Sequence, residues 1–451
     1  MGYRRKIYDK LLEWKKEDRG TSAILINGAR RVGKSYIAEE FGKREYRNYV
    51  LIDFTKADER IKSVFRNSLS NLDDFFYQLS NLCGKSFHER ETLFIFDEVQ
   101  AFPRAREAIK HLVAHGKYDY IETGSLVSIR KNVKDILIPS EELDIEMYPM
   151  DFEEFLWAKG NQVLMDAMRR QFERREPMGV VHKTAMDAFR EYMVVGGMPQ
   201  VVSTFFTTRN LKKVDREKRK ILALYRKAIR EHAGNIAERV EALFDFIPAE
   251  LQRHEKRIVL KDIEPGARMR DFQDPIFWLK DAMVPNIAYN ATEPNVGLGL
   301  SLDHSTVKCY MGDTGLLISH AFSENELMSE DIHNRLLFGD IALNEGMLTE
   351  NMVAQMLTAC GRKLYFFSRH DRESRQNCIE VDFLVSKSKL ANKKNVHPIE
   401  VKSGKNVKHR ALDKFMAKYS DWLDVPYLLW DKDVAFKDGI LYLPLYMASL
   451  L

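Results

Sequence analysis

Short apolar runs alternate with helical patterns along the first 150 residues. The runs are Ala23-Ile24-Leu25-Ile26, Tyr49-Val50-Leu51-Ile52, Leu93-Phe94-Ile95-Phe96 and Tyr118-Asp119-Tyr120-Ile121. Runs of this length, bounded by helical stretches, are typical of buried strands in a parallel sheet. The first part of the chain is therefore predicted to be an α/β domain with a parallel sheet.

The patterning changes twice along the rest of the chain. A helical pattern rich in Glu, Arg and Lys runs from about Asp151 to Arg239, with one interruption at Val195-Gly196-Gly197-Met198-Pro199. The next 80 or so residues contain only short apolar pieces, and from about Phe322 the pattern becomes helix, strand, strand, helix, strand. We predict an α/β domain at 1–155, a helical segment at 156–240, a mixed segment at 241–321 and a compact α/β domain at 322–451.

Composition narrows the class of protein. The 451 residues are 45% hydrophobic and 30% charged, which indicates a folded chain with several cores and excludes disordered, collagen-like and coiled-coil classes. The sequence shows neither an apolar run of the roughly 18 residues that span a bilayer nor the apolar stretch of a signal peptide. The four cysteines are far apart and form no CxxC pair, so we expect reduced thiols, a cytoplasmic location and no membrane partner.

The strongest motif is Gly28-Ala29-Arg30-Arg31-Val32-Gly33-Lys34-Ser35, which matches GxxxxGK[ST] between an apolar strand and a helical stretch. Glycines let successive backbone N–H groups curl around phosphates, and the helix N-terminus adds a positive dipole. Lys34 is expected to neutralise phosphate oxygens, and the Ser35 hydroxyl is expected to bind Mg²⁺. The motif predicts that all eight residues bind ATP with Mg²⁺; a plain glycine turn is the alternative.

Two further strand ends extend this predicted site. The run that ends at Phe96 leads directly into Asp97 and Glu98, which suits a second Mg²⁺ ligand at Asp97 and a base that orients attacking water at Glu98. The next strand ends in Thr123-Gly124-Ser125, where a hydroxyl such as that of Thr123 could sense the γ-phosphate. A plain turn at that position is an equally good interpretation.

These motifs, with three later ones, resemble a large and mostly uncharacterised prokaryotic family of AAA+ ATPases. The later motifs are Tyr148-Pro149-Met150-Asp151-Phe152-Glu153-Glu154-Phe155, Gly196-Gly197-Met198-Pro199 and Asp313-Thr314-Gly315-Leu316-Leu317, so the resemblance covers nearly the whole chain. It implies an AAA+ P-loop domain, a helical lid at 156–240 and, by analogy, a winged helix within 241–321. It also implies a C-terminal domain that resembles the PD-(D/E)xK nuclease fold.

One departure from the family pattern concerns the arginine that completes a neighbouring ATPase site. Members often carry an arginine just before the strand that leads to the Pro-containing segment, whereas Glu141 to Glu146 is acidic here. The arginine finger is therefore unassigned, and Arg130 is a candidate by position alone. Homo-oligomerisation is likewise an expectation that follows from the resemblance.

The C-terminal domain contains two alternating strands that place chemistry-bearing residues on one face. In Ile379-Glu380-Val381-Asp382-Phe383-Leu384-Val385, Asp382 shares a face with Glu380, and in Pro398-Ile399-Glu400-Val401-Lys402, Glu400 shares a face with Lys402. Paired as neighbours, the strands would bring Asp382, Glu400 and Lys402 together. Asp382 and Glu400 could hold Mg²⁺ through oxygen atoms, while Lys402 positions water or stabilises a pentavalent phosphorus.

An upstream helix offers a fourth member of this cluster. Apolar residues recur at helical spacing around Glu350, which places this carboxylate at the edge of the apolar arc, as for the acid on the first helix of the resembled fold. Because fold does not establish activity, a structural ion-pair cluster of Lys402, Asp382 and Glu400 remains the alternative to metal-dependent phosphodiester cleavage.

A basic rim lies beside the predicted cluster. Between Ser386 and Arg410, eight Lys or Arg residues stand against a single acid, Glu400, and a phosphate backbone would be attracted to such a rim, although a solvated lysine loop would have the same composition. Two hypotheses remain for the whole protein. In one, ATP drives a nuclease-like domain that acts on nucleic acid, with DNA as the expected partner; in the other, it drives a switch whose C-terminal domain is inactive and only binds a partner.

Overall fold

A computed structural model describes residues 2–124, 140–253, 257–295, 297–322, 345–369, 378–386, 394–403 and 408–451. The chain divides into two compact units. The N-terminal unit consists of Gly2–Tyr148 with Asp281–Met283, and the C-terminal unit consists of Pro149–Lys280 with Val284–Leu451. Among the helices in these ranges, none is both long enough and apolar enough to cross a membrane.

A parallel five-stranded sheet forms the centre of the N-terminal unit. Its strands, in the spatial order β2-β3-β4-β1-β5, pair in parallel throughout. The strands are β1 (Ala23–Asn27), β2 (Asn48–Asp53), β3 (Thr92–Asp97), β4 (Asp119–Gly124) and β5 (Glu142–Glu146). The α/β class with a parallel sheet, predicted from the four apolar runs, is confirmed.

Within the described residues of this unit, five helices accompany the sheet. They are α1 (Lys6–Glu17), α2 (Lys34–Glu45), α3 (Glu59–Asn67), α4 (Leu72–Cys83) and α5 (Pro103–His115). A buried aromatic cluster packs between helices and sheet, with the Phe96 ring 5.8 Å from that of Phe54 and 5.4 Å from that of Phe65. Because Phe96 directly precedes Asp97, this packing anchors the carboxyl end of β3, where the polar residues of the site begin.

The strand order creates a switch point at the carboxyl edge of the sheet. The chain leaves β1 towards β2 at one edge, whereas after β4 it passes β1 to reach β5 at the other edge. In open α/β sheets, ligands bind outside the carboxyl ends of the strands at such a point. The ends of β1, β3 and β4 therefore meet where a ligand is expected.

The C-terminal unit begins with helices, in agreement with the helical pattern of the sequence. They are α6 (Phe152–Lys159), α7 (Gln162–Arg174), α8 (Val181–Val195), α9 (Pro199–Thr208), α10 (Leu211–His232), α11 (Ala237–Gln252), α12 (Met269–Asp281) and α13 (Thr314–Ala321). Asp151 caps α6 in a capping box with Glu154, and Pro199 is the first residue of α9. The predicted interruption between α8 and α9 is thus a helix boundary.

An eight-stranded mixed sheet completes this unit, in the order β12-β13-β11-β10-β9-β8-β6-β7. Helices α14 (Glu345–Ala359) and α15 (Arg410–Lys418) belong to the same region. The strands are β6 (Pro285–Ala291), β7 (Leu302–Met311), β8 (Leu364–Arg369), β9 (Ile379–Ser386), β10 (Val396–Val401), β11 (Tyr427–Trp430), β12 (Ala435–Lys437) and β13 (Ile440–Pro444).

This sheet is larger than the sequence pattern suggests. Strands β6 and β7 lie before residue 322 but join the later strands, because β6 pairs in parallel with β8. In the part of the chain that the structure describes, three strands, rather than two, lie between α14 and α15, and three follow α15. The segment 241–321, for which a winged helix was expected by analogy, therefore contributes β6 and β7 to the C-terminal sheet. The bounds of the four predicted domains stay predictions.

Candidate functional site

The loop Gly28–Ser35 connects β1 to α2, and its backbone takes the shape that a phosphate cradle needs. Arg31 has φ 72° and Gly33 has φ 101°, both in the left-handed region. Left-handed residues within such a loop turn successive N–H groups towards one concavity. A Cβ at Gly28 would lie 2.3 Å from the carbonyl oxygen of Met147, so this position accepts only glycine without a backbone shift.

Lys34 is buried at the start of α2, with 6% of its surface exposed. Its Nζ donates to the carbonyl oxygens of Gly28 at 2.8 Å and Ala29 at 3.0 Å, both in the same loop. Burial lowers the pKa of Lys34 to about 8, although the carboxylates of Glu98 and Asp97 act in the opposite direction. The ammonium is thus held inside the loop as a poorly solvated cation, which favours an anionic ligand.

Two hydroxyl groups converge on one carboxylate oxygen at the carboxyl edge of the sheet. The Ser35 hydroxyl donates to Oδ1 of Asp97 at 2.7 Å, and the Thr123 hydroxyl donates to the same oxygen. These residues come from the start of α2, the end of β3 and the end of β4. Hydroxyl and carboxylate oxygens are ligands that Mg²⁺ accepts, so Ser35 and Asp97 fit the predicted metal position in type and in proximity.

Glu98 follows β3 with an unusual backbone. Its φ is 53°, which is uncommon for a residue other than glycine, asparagine or aspartate. Its N–H donates to the Thr123 hydroxyl at 3.3 Å, and its carboxylate accepts from the side-chain amide of Gln100. These contacts hold Glu98 beside Asp97 instead of letting the chain continue as an extended strand.

The structure therefore brings Lys34, Ser35, Asp97, Glu98 and Thr123 to one edge of the sheet. Arg30 is half-buried and Arg31 is exposed in the same loop. Ser125 and the arginine-finger candidate Arg130 lie outside the described residues.

In the C-terminal unit, the predicted strand pair is present. Strands β9 and β10 are antiparallel neighbours in which Phe383 pairs with Ile399, so Asp382 and Glu400 occupy the next positions on facing strands. The N–H of Val401 donates to Oδ2 of Asp382 at 2.8 Å, and Lys402 donates to Oε1 of Glu400. Asp382, Glu400 and Lys402 thus lie together.

The face that carries Glu400 is covered. Helix α14 packs on β10 and β7, and its Glu350 is 4% exposed while Glu400 is 6% exposed. Burial raises the pKa of Glu400, although Lys402 opposes this effect. Among the residues that the structure describes, no group donates a hydrogen bond to Oε2 of Glu400.

A lysine that the sequence patterns did not predict lies within this cluster. Lys308 of β7 is 1% exposed, and its Nζ lies 2.9 Å from Oε1 of Glu380 and 3.6 Å from Oε1 of Glu350. Burial alone would lower the pKa of Lys308, but the carboxylates, led by Glu350, raise it above its ordinary value. Tyr310, two residues further on, donates to Glu350.

A sequence signal for Lys308 exists in retrospect. It is the single charged residue in Val307-Lys308-Cys309-Tyr310-Met311, an otherwise apolar stretch with a phenol at the alternate position. A lysine inside such a run is rarely buried unless it is paired. The signal shows that a carboxylate partner is needed, but not which one.

The donor set of the C-terminal cluster fits a divalent cation in part. Four carboxylates face two ammonium groups, so the fully ionised cluster has an excess of two negative charges. Within the described ranges, however, no three His, Cys, Asp or Glu side chains are arranged as a metal cage. Mg²⁺ commonly keeps several waters and needs only one or two protein carboxylates, which Asp382 and Glu400 could supply.

The structure describes four of the eight basic residues of the rim. Lys394, Lys402, Lys408 and Arg410 are described, whereas Lys387, Lys389, Lys393 and Lys405 lie outside the described residues.

Comparison with known proteins divides the chain into three matched segments. Residues 20–156 match the model of an AAA domain. Residues 186–326 and 345–447 match two domains of unknown function, DUF8612 and DUF4143, and the second of these contains Glu350, Asp382, Glu400 and Lys402. The N-terminal unit thus contains an AAA-type ATPase domain, while the matches to the C-terminal unit assign no chemistry.

Similar individual proteins are distant. An uncharacterized protein of Haemophilus influenzae is 23% identical over 182 residues, which is 40% of this chain and 40% of that protein. The Walker-type ATPase paby2304 of Pyrococcus abyssi is 15% identical, with a TM-score of 0.41 over 71% of this chain and 96% of that chain. The Drosophila ORC bound to DNA is 13% identical, with a TM-score of 0.27 over 70% of this chain and 94% of that chain.

Proposed function

We propose that the N-terminal site binds ATP with Mg²⁺ and hydrolyses it. The observation that carries this proposal is the convergence of the Ser35 and Thr123 hydroxyls on Asp97. Ser35 directly follows the buried Lys34, whose ammonium contacts the glycine-containing loop. A match of residues 20–156 to an AAA domain supports it.

Each residue has a role that follows from its position. The backbone N–H groups of Gly28–Ser35 bind phosphate oxygens, and Lys34 exchanges its two carbonyl contacts for them. Ser35 and Asp97 hold Mg²⁺, which supplies neutralisation of the charge that develops on the transferred phosphoryl group. Thr123 orients Asp97 through its hydroxyl, and its proposed further role is to contact the γ-phosphate.

Glu98 is the proposed base that orients the attacking water. The left-handed backbone of Glu98 turns the chain directly after Asp97. The side-chain amide of Gln100 donates a hydrogen bond to the Glu98 carboxylate and restrains its position. The Glu98→Gln variant should therefore bind ATP as tightly as the wild type but hydrolyse it at least about 100-fold more slowly, because general-base removal costs two to four orders of magnitude.

Nucleotide titration and phosphate release, measured on both proteins, test this assignment. Unchanged hydrolysis in Glu98→Gln would reassign the base, and failure of the wild type to bind ATP with Mg²⁺ would refute the proposed function. Glu107→Gln, a change on the neighbouring helix α5, serves as the matched control and should leave both quantities unaltered.

A second candidate function is metal-dependent phosphodiester cleavage at the C-terminal cluster. Two observations favour it: the predicted set of Glu350, Asp382, Glu400 and Lys402 is assembled, and Oε2 of Glu400 is a buried oxygen with no hydrogen-bond donor among the described residues. Asp382 and Glu400 would hold Mg²⁺, and Lys402 would hold water or the phosphate. We propose that ATP hydrolysis would then control the cleavage of nucleic acid, with DNA as the first substrate to test.

The alternative is a nucleotide-operated switch whose C-terminal unit only binds a partner. Lys308 favours it, because this lysine already pairs with Glu380 and Glu350 and is completely enclosed. Incubation of wild type and the Glu400→Ala/Lys402→Ala double variant with single- and double-stranded DNA and RNA, Mg²⁺ and ATP distinguishes the two. Cleavage by the wild type alone supports the nuclease; its absence under every nucleotide condition supports the switch.

Assembly and location are proposals of the same kind. We propose a cytoplasmic protein that forms homo-oligomers, in which a neighbouring subunit supplies the arginine finger, a residue that stays unassigned.

A further inference from the structure

Arg5 lies outside every motif discussed above and outside the matched AAA segment, which begins at residue 20. It directly precedes α1 and is only 6% exposed. Its Nη1 donates to the carbonyl oxygen of Val32 at 2.9 Å, and its Nη2 donates to the carbonyl oxygen of Tyr148 at 2.7 Å. One guanidinium thus ties the phosphate loop to the segment that follows β5.

The bond to Val32 has a consequence on the other side of the same peptide. In a trans peptide unit, the C=O and the following N–H point in opposite directions. Because the Val32 carbonyl points to Arg5, the N–H of Gly33 points away from Arg5. Gly33 directly precedes Lys34 in the phosphate loop, and its backbone N–H is among those that the motif uses to cradle phosphate.

The second bond fixes the support on which the loop rests. The N–H of Met147 donates to the carbonyl oxygen of Asn27 at 2.7 Å, and the Met147 carbonyl occupies the space that a side chain at Gly28 would need. Arg5 holds the next residue, Tyr148. The start of the loop therefore rests on the segment after β5, and its far end is held to the same segment through Arg5.

We infer that Arg5 is a positioning residue for ATP binding, which aims the Val32–Gly33 peptide and locks the phosphate loop against the segment after β5. This inference rests on the proposed ATP binding by Gly28–Ser35. A planar guanidinium suits the task because it offers two separate donors in a fixed geometry, whereas a lysine ammonium at the same place would reach a single carbonyl well.

The test compares three variants of the full chain with the wild type. Arg5→Met keeps the aliphatic stem but removes both donors, and Arg5→Lys keeps the charge with a compact head group. Arg4→Met is the matched control, because the Arg4 side chain is 57% exposed and its ion pair with Asp9 lies on the surface. Titration with ATP and Mg²⁺ gives Kd, and steady-state hydrolysis gives KM and kcat.

We expect Arg5→Met to raise Kd and KM for ATP at least about tenfold, since it removes hydrogen bonds from a charged group that orients the loop. The kcat should change by less than about threefold, because Lys34, Asp97 and Glu98 stay in place. Arg5→Lys should give an intermediate Kd, and Arg4→Met should match the wild type. A general loss of folded protein would instead lower the apparent kcat and the amplitude of the binding titration, and it would leave KM unchanged.

Thermal unfolding with and without ATP provides a second measure of ATP affinity, which is needed if Arg5→Met is less stable than the wild type. ATP should raise the unfolding midpoint of each variant by an amount that falls as its Kd rises. Wild-type affinity in Arg5→Lys, or in whatever fraction of Arg5→Met is folded, would overturn the inference while leaving the proposed function intact. Failure of the wild type to bind ATP would instead refute the proposed function itself.

Discussion

The nucleotide site and the C-terminal cluster both contain a buried lysine next to carboxylates, but the two lysines differ in electrostatic state. Lys34 bonds to two backbone carbonyls, and burial lowers its pKa to about 8. Lys308 lies within ion-pair distance of Glu350 and Glu380, and these carboxylates raise its pKa despite complete burial. The difference shows that burial dominates at Lys34, whereas two nearby carboxylates compensate the charge of Lys308.

The two sites also differ in how the chain assembles them. The phosphate loop is one continuous segment whose glycines and lysine are close in sequence. The C-terminal cluster draws on β7, α14, β9 and β10, which are separated by long stretches of chain. A local site is fixed mainly by backbone geometry, while a dispersed site depends on the packing that brings its members together.

The largest expected effect is on ATP binding. Lys34→Met should weaken the binding of ATP with Mg²⁺ at least about 100-fold, because it removes a poorly solvated cation that faces the phosphates. Titration of ATP checks this, and Lys43→Met on the exposed side of α2 is the matched control. Wild-type affinity in Lys34→Met would show that the loop does not bind phosphate through this lysine.

A second effect is on stability. Lys308→Met should lower the free energy of unfolding by about 3 kcal/mol, since it leaves the buried carboxylate of Glu350 and the partly exposed carboxylate of Glu380 without their cation. Urea unfolding at pH 7 measures the change. Lys56→Met, which removes an exposed pair with Asp53, should have no measurable effect.

Restoration sharpens the same test. Adding Glu380→Gln to Lys308→Met should recover part of the lost stability, because one of the two uncompensated carboxylates is then neutral. A loss below about 1 kcal/mol for Lys308→Met alone would mean that the cluster does not depend on this ion pair.

Per pH unit, the smallest effect concerns a third buried lysine, Lys218, and the pH dependence of stability. Lys218 of α10 donates to the Val194 carbonyl at 3.1 Å, and burial lowers its pKa to about 8. Asp215 lies nearby but bonds to Arg219 and Ser319. Asp313 bonds to the N–H groups of Gly197 and Leu316. At Lys218 the lowering of the pKa by burial therefore outweighs the opposite effect of Asp215 and Asp313.

The sign follows from proton binding. Between about pH 8 and 10.5 the unfolded chain keeps the Lys218 proton and the folded chain loses it, so folding becomes more favourable as pH rises. The unfolding free energy of the wild type, minus that of Lys218→Met, should rise by up to about 1.4 kcal/mol per pH unit in this window. A difference that stays constant from pH 7 to 10 would contradict the assignment.

Much of both sites could be predicted because their signals are local. The spacing of Gly28, Gly33, Lys34 and Ser35 predicts a glycine-containing loop that leads into a helix, and the apolar run before Asp97 predicts that this carboxylate lies at a strand end. Alternation in β9 and β10 likewise predicts that Asp382, Glu400 and Lys402 share a face. Both the alternation of side chains along a strand and the short spacing of glycines in a loop reflect backbone geometry. This geometry is determined within a few residues.

Tertiary structure alone decided the partners that come from distant segments. Lys308 and Tyr310 join the cluster because β6 and β7 add to the edge of the C-terminal sheet, and Glu400 is enclosed because α14 covers its face. Arg5 reaches the phosphate loop because the chain before α1 passes behind it. No regular spacing of residues in the sequence predicts these contacts. Burial and long-range pairing arise only when separate elements pack against one another.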